Sequence, residues 1–154
     1  MSAKLLELIE YRDMQLKDLD IIYDLEVECY DFPWTRNILR DCFLNGYDFY
    51  IATYERTVIG YVISKITSDE SHILNLTVKN EYRNIGVASG FIDMICDKCT
   101  ILESKVIFLE TRTTNYPAIG LYEKYGFKRV SIRKDYYKTY SGKENAIIFR
   151  KILT

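Results

Sequence analysis

The stretch that most constrains this chain is Ile73 to Gly90, I-L-N-L-T-V-K-N-E-Y-R-N-I-G-V-A-S-G. Ile73 to Val78 is an apolar run that reads as a strand, and Arg83-x-x-Gly86-x-Ala88 opens a segment of helical periodicity after a short polar turn. Gly86 has no Cβ, so an anion can come close to the main chain. The helix beginning there points its unpaired N–H groups and the positive end of its dipole at the same place. A pyrophosphate is the natural guest. Glycine at a helix start is also ordinary, and the motif by itself leaves both readings open.

The flanking pattern predicts what surrounds that turn. Leu5 to Tyr11 reads as a first strand. Asp18 can cap a helix to about Cys29, with Leu19, Ile22, Leu25 and Cys29 on one face. Phe32-Pro33-Trp34 interrupts it, and Thr35 is an N-cap for a second helix to about Leu44. Asp48 to Tyr54 and Val58 to Thr67 read as a hairpin, and His72 to Val78 continues the meander. After the glycine turn, Val87, Phe91, Ile95, Cys99 and Leu102 mark an amphipathic helix that crosses over to a strand at Val106 to Thr111. A short helix from Tyr116 to Tyr125 stops at Gly126, and Lys128 to Tyr137 with Ala146 to Leu153 closes the chain as a hairpin around Ser141-Gly142. The expected class is mixed α/β, in three layers. A sheet of about seven strands is flanked by about four helices, in one domain over residues 1–154.

Composition removes several function classes. A formal net charge of −1 offers no basic field for nucleic acid. No long apolar run suggests a membrane span and no leading signal segment is visible, so a cytoplasmic location is expected. Cys29, Cys42, Cys96 and Cys99 read as reduced side chains that mostly pack. The pair Cys96-x-x-Cys99 falls late in a helix, and His72 is the only histidine, so neither a redox motif nor a metal site is expected.

Three separated motifs then carry a resemblance. Leu109 to Phe127 reads L-E-T-R-T-T-N-Y-P-A-I-G-L-Y-E-K-Y-G-F, Asp135 to Tyr137 with Lys143 to Ile148 reads D-Y-Y and K-E-N-A-I-I, and residues 32–34 read F-P-W. In this order they resemble the GCN5-related N-acetyltransferase (GNAT) superfamily. Within it they resemble the N-terminal (N-alpha) acetyltransferases: the ribosomal-protein alanine acetyltransferases and their archaeal relatives, which carry L-E-V-R-x-S-N-x-x-A-I-x-L-Y-E-x-L-G-F. The likeness runs from about Leu25 to Lys151.

The resemblance implies acetyl-CoA as donor and Glu110 as general base, acting through water. A carboxylate of ordinary pKa near ~4.3 is a weak base toward an ammonium, so a neighbour or burial must tune it. Read without the family, Glu110 is first of all a strand-end partner for Arg112. Tyr122 is implied as the acid toward the coenzyme sulfur, a task that suits a phenol of pKa near ~10; its plain alternative is a core aromatic. The coenzyme is implied to lie against Leu76, Thr77 and Val78, whose backbone groups polarise the thioester. Its pyrophosphate would rest on Arg83, Asn84, Ile85, Gly86, Val87, Ala88 and Ser89, with further contacts from Asn115, Ala118 and Tyr122. Asn84 departs from a pattern that is often basic, and Ala88 from one that is often glycine. Asn115 also reads as a plain cap.

On the substrate side, the resemblance assigns Phe32, Pro33, Trp34, Tyr136 and Tyr137 to a groove that admits a chain end. The alternative for Phe32 and Trp34 is a staple for the second helix. Lys128, Arg129, Arg133, Lys134 and Lys138 read as a solvated strand face. The expected partner is a protein N-terminus, a ribosomal protein being one candidate, with no nucleic acid or membrane, and the chain acting as a monomer or weak dimer. No cysteine stands where Glu110 or Tyr122 sits, so direct attack is expected rather than a covalent enzyme intermediate. Two rivals share the fold: a lysine or small-amine acetyltransferase, and a non-catalytic coenzyme-binding module.

Overall fold

In the computed structural model, which describes residues 2–153 and their side chains from Leu5 onward, the chain forms α1 (Ser2–Glu7), β1 (Glu10–Asp13), α2 (Leu19–Cys29), α3 (Arg36–Leu44), β2 (Asp48–Tyr54), β3 (Thr57–Lys65), β4 (Glu70–Val78), α4 (Val87–Ile101), β5 (Val106–Arg112), α5 (Tyr116–Lys124), β6 (Lys128–Thr139) and β7 (Gly142–Ile152). Seven strands and five helices among the described residues make the class mixed α/β, as the periodicities predicted. None of these helices is long and apolar enough to cross a membrane.

The added helix is at the N-terminus. The expected strand at Leu5 to Tyr11 is instead a helical turn followed by β1, because Ala3-Lys4-Leu5-Leu6-Glu7 is a run of strong helix formers. Leu8 N–H closes the turn on Leu5 O at 3.0 Å and Ile9 N–H on Leu6 O at 3.2 Å. Thr35 caps α3 as expected, its hydroxyl accepting from Ile38 N–H at 3.2 Å. Asp18 stands at the N-cap of α2 without capping it. Its carboxylate accepts a forked pair of 2.9 Å bonds from Arg12 and one of 2.8 Å from Gln15 N–H, so a stronger charged donor has taken the cap. Leu102 lies beyond α4 and is exposed, because the helix stops at Ile101 and Glu103 turns at φ +59°.

Two compact units organise the chain: Met1–Lys65 with Asn75–Ile95, and Ile66–Leu74 with Cys96–Thr154. β4 contributes to both. In the first unit the strand order is β1-β2-β3-β4, with β1, β2 and β3 antiparallel. Ile22, Leu39, Ile51, Ile59, Ile63, Phe91 and Ile92 form its buried core. In the second unit the order is β4-β5-β7-β6. β4 and β5 are parallel from Glu70↔Val106 to Ile73↔Leu109, and α4 makes the crossover between them. β5 pairs antiparallel with β7, and Ile107, Leu109, Ile119, Phe127, Ile147 and Phe149 are buried. Each such side chain removed from water is worth roughly 1.5–3 kcal/mol.

Candidate active site

In the first unit, the turn ahead of α4 has the form its sequence demanded. Gly86 sits at φ +103° and Asn84 at φ +63°. Only glycine adopts the first cheaply, and asparagine tolerates the second better than a long basic residue does, which accounts for the departure at position 84. The helix start is held by Tyr11, whose hydroxyl donates to Val87 O at 3.0 Å and whose ring meets Phe91 edge-on at 5.1 Å. Gly90 is required there: a Cβ would fall 2.0 Å from the Tyr11 hydroxyl oxygen. Val87 is buried, so it can offer a ligand only its N–H, whereas Ile85, Ala88 and Ser89 are half-buried and Arg83 and Asn84 exposed. Arg83 Nε donates to Val78 O at 2.9 Å. No local pattern pointed to Leu6, whose Cδ atoms lie 3.4 Å from the place a Cβ on Gly86 would occupy.

Leu76–Val78 are the last residues of β4, and two of their carbonyls already accept. Tyr30 hydroxyl reaches Leu76 O at 3.3 Å as well as Thr77 Oγ1 at 2.7 Å, and Arg83 takes Val78 O. Phe32, Pro33 and Trp34 are half-buried in the bend between α2 and α3. The bend is fixed through its backbone: Trp34 N–H donates at 2.8 Å to Glu26, a carboxylate 2% exposed. Sequence reading passed over Glu26. The signal was its place in the helix, four residues from Ile22 and three from Cys29, on the face that packs.

In the second unit, Glu110 and its neighbours alternate along β5: Ile107, Leu109 and Thr111 are buried, Phe108, Glu110 and Arg112 half-buried. Arg112 is not the partner of Glu110. It donates to Glu144 at 3.1 Å and lies over the Tyr137 ring at 4.5 Å. Glu110 Oε2 instead meets His72 Nε2 at 2.7 Å. His72 was noted in the sequence only as a lone histidine. The parallel register His72↔Phe108, two residues short of Glu110 on the same face, is the information that was missing.

Tyr122 is buried on α5, with Phe127 and Phe149 at 5.7 Å and 6.2 Å between ring centroids. Asn115 is the N-cap of that helix, its side-chain oxygen accepting from Ala118 N–H at 3.4 Å. Tyr136 and Tyr137 stack edge-to-face at 4.8 Å where a bulge breaks the β6–β7 register. Lys128, Arg129, Arg133, Lys134 and Lys138 are all exposed, the solvated face expected of them. Among the described residues no group of His, Cys, Asp and Glu side chains could hold a metal ion, and none of the four cysteines is in a disulfide.

The first unit holds a helix start on an open glycine turn, and the second a carboxylate–imidazole pair on parallel strands. The chain belongs to the acetyltransferase (GNAT) family, which matches residues 19–127 and so runs through both units. It is 28% identical to the [ribosomal protein bS18]-alanine N-acetyltransferase of Escherichia coli (strain K12) over 135 residues, 88% of this chain and 91% of that one. The crystal structure of the E. coli enzyme superposes with a TM-score of 0.88 at 26% identity, covering 95% and 94% of the two chains. An N-alpha-acetyltransferase of Saccharolobus solfataricus is 32% identical over 105 residues, 60% of this chain and 63% of that one. The NatC complex, solved with a Gag peptide and CoA, gives a TM-score of 0.83 at 25% identity over 95% and 99% of the chains.

Proposed function

We propose that this protein transfers the acetyl group of acetyl-CoA to the free alpha-amine of a protein chain, by direct attack in a ternary complex, in the cytoplasm. The observation that carries the reading is the 2.7 Å hydrogen bond between Glu110 and His72, on the strand that leads into N-Y-P-A-I-G-L-Y. The residues present suit the donor. Gly86, with φ +103°, bares the backbone at the start of α4, and Arg83, exposed beside it, is anchored through Nε to Val78 O. When bound, acetyl-CoA supplies an acyl carbon activated as a thioester.

Arg83, Asn84, Ile85, Gly86, Val87, Ala88 and Ser89 would hold its pyrophosphate, and Leu76–Val78, Asn115, Ala118 and Tyr122 the arm that carries the sulfur. Glu110 takes a proton from the incoming ammonium, directly or through water. His72, presenting one N–H or one lone pair at Nε2 according to tautomer, passes charge to and from it. Backbone N–H groups of Leu76–Val78 would face the thioester carbonyl and stabilise negative charge there. With acetyl-CoA bound, Tyr122 O–H would be the proton donor for the coenzyme sulfur, and Glu110 would take the second amine proton after passing the first to His72 or water. Phe32, Pro33 and Trp34 in the first unit, and Tyr136 and Tyr137 in the second, are the residues that the family resemblance assigns to the chain end. The E. coli relative, named for an alanine of bS18, supports an N-terminal substrate of that kind.

Mass spectrometry tests this directly. Peptides beginning Ala, Ser or Met-Glu, and N-blocked peptides offering only lysines, are incubated with the protein and acetyl-CoA. Acetyl on the free alpha-amine alone is expected. Acetyl on blocked peptides would instead make the enzyme a lysine acetyltransferase, and none on either would leave a small-amine substrate or a coenzyme-binding module.

A further inference from the structure

The first unit contains a buried polar network that the transfer chemistry does not use. Glu26 Oε1 accepts from the Tyr61 hydroxyl and from Asn75 Nδ2 at 2.9 Å, and Oε2 accepts from Trp34 N–H at 2.8 Å. Thr77 Oγ1 donates to Asn75 Oδ1 at 2.8 Å and shares a hydrogen bond with the Tyr30 hydroxyl at 2.7 Å. Burial pushes the Tyr30 phenol up to about 12 and that of Tyr61 higher still, so both remain donors through the neutral range. The Tyr61 hydroxyl, the Asn75 amide and the Trp34 N–H thus all point toward one carboxylate. No cation pairs with Glu26 among the described residues, and its printed partners are fixed dipoles. A bare anion in this place would cost several kcal/mol, which makes three directed donors a requirement of the fold.

The geometry points to Glu26 as a positioning residue, a latch that ties the Phe32-Pro33-Trp34 bend to the Asn75–Thr77 segment of β4. As a statement about acetyl transfer this rests on the function proposed above, because that reading assigns the bend to the peptide and Leu76–Val78 to the coenzyme. The two arms of the latch are chemically separable. A glutamine at position 26 keeps one acceptor oxygen for Tyr61 and Asn75 but turns an NH2 toward Trp34 N–H, where two donors face each other. The bend is released while the β4 side is kept. Tyr61→Phe does the opposite, removing a donor to the carboxylate with no effect on the bend.

Trp34 is the only tryptophan in the chain, so the bend reports on itself. The test compares wild type, Glu26→Gln and Tyr61→Phe in acrylamide quenching of Trp34 fluorescence, in peptide KM and in kcat. Glu26→Gln is expected to raise the quenching constant about 2-fold and peptide KM about 10-fold, with kcat and acetyl-CoA KM within about 2-fold. Tyr61→Phe is expected to lower thermal stability and leave both Trp34 readouts at the wild-type value. Equal quenching and equal peptide KM in the two variants would make Glu26 a packing residue and overturn the latch. Should Glu26→Gln not fold, hydrogen exchange of the wild-type Trp34 amide decides: slow exchange supports the latch and unprotected exchange rejects it. Quenching and exchange need no turnover. A wild-type protein that acetylates no peptide would sink the proposed function while these two readouts still judge the latch.

Discussion

Glu26 and Glu110 present the same side chain in opposite circumstances. Glu26, 2% exposed, accepts from two side chains and a backbone N–H. Glu110, whose side chain is 16% exposed, meets one imidazole and keeps its remaining lone pairs available among the described residues. A carboxylate with its acceptor sites filled by fixed dipoles fastens parts together, because no incoming proton finds a free oxygen. A carboxylate with one titratable partner and an open side can exchange protons with something that arrives. Residue type does not separate these two jobs. Neighbours and water do.

The largest way to break the comparison is Glu110→Gln. The change keeps the shape and removes the base, so kcat should fall at least about 100-fold, in the range that proton transfer usually contributes. The melting temperature should stay close to wild type, since glutamine fills the same space and can still hydrogen-bond His72. Tyr122→Phe should lower kcat without removing coenzyme binding. Turnover within a few-fold of wild type for both variants would mean that the reacting groups are elsewhere.

Two further carboxylates extend the comparison to acid pH. Hydrogen bonds from Arg12 first, then Gln15 N–H, hold the Asp18 carboxyl below the usual range. Thr114 and Thr113 hydroxyls and Arg112 do the same for Glu144. Folded values below the unfolded ones mean stability that is fully present above about pH 4–5 and lost as pH falls through the folded values. Urea unfolding should therefore weaken from about pH 5 downward, and Asp18→Asn should flatten that limb at a cost near 1–2 kcal/mol at neutral pH. An unchanged acid limb in that variant would show that Arg12 does not set it.

Much of this was legible from spacing alone. Capped and glycine-stopped elements such as α3 and α5 fell where Thr35 and Gly126 put them, since those signals act within a turn of themselves. The glycine turn at residues 83–86 was legible for the same reason. The partners of the site residues were not, because partnership is set by strand register and helix face. His72 meets Glu110 through the β4–β5 pairing, and Glu144 takes Arg112 from seven strand positions of β5–β7 register that no local pattern encodes. The helical turn at the N-terminus was misread because five helix formers also contain a loose alternation.

The smallest predicted effect concerns the residue after Glu110. Thr111 is 4% exposed, and its Oγ1 has no hydrogen-bond partner among the described residues. It is the reverse of Glu26: a polar atom carried into the core and given nothing to bind. The L-E-V-R form of the family motif has valine there, which fills the same space without the hydroxyl. Thr111→Val should therefore stabilise the protein by about 1 kcal/mol, the cost of an unsatisfied buried hydroxyl, or roughly 2–4 °C in a thermal melt for a chain of this size. Catalysis should be unchanged. A loss of stability would mean that the hydroxyl finds a partner in solution, such as a buried water. A rise in the peptide or acetyl-CoA KM at unchanged stability would mean that the partner is a reactant, and Thr111 would then join Glu110 in the site.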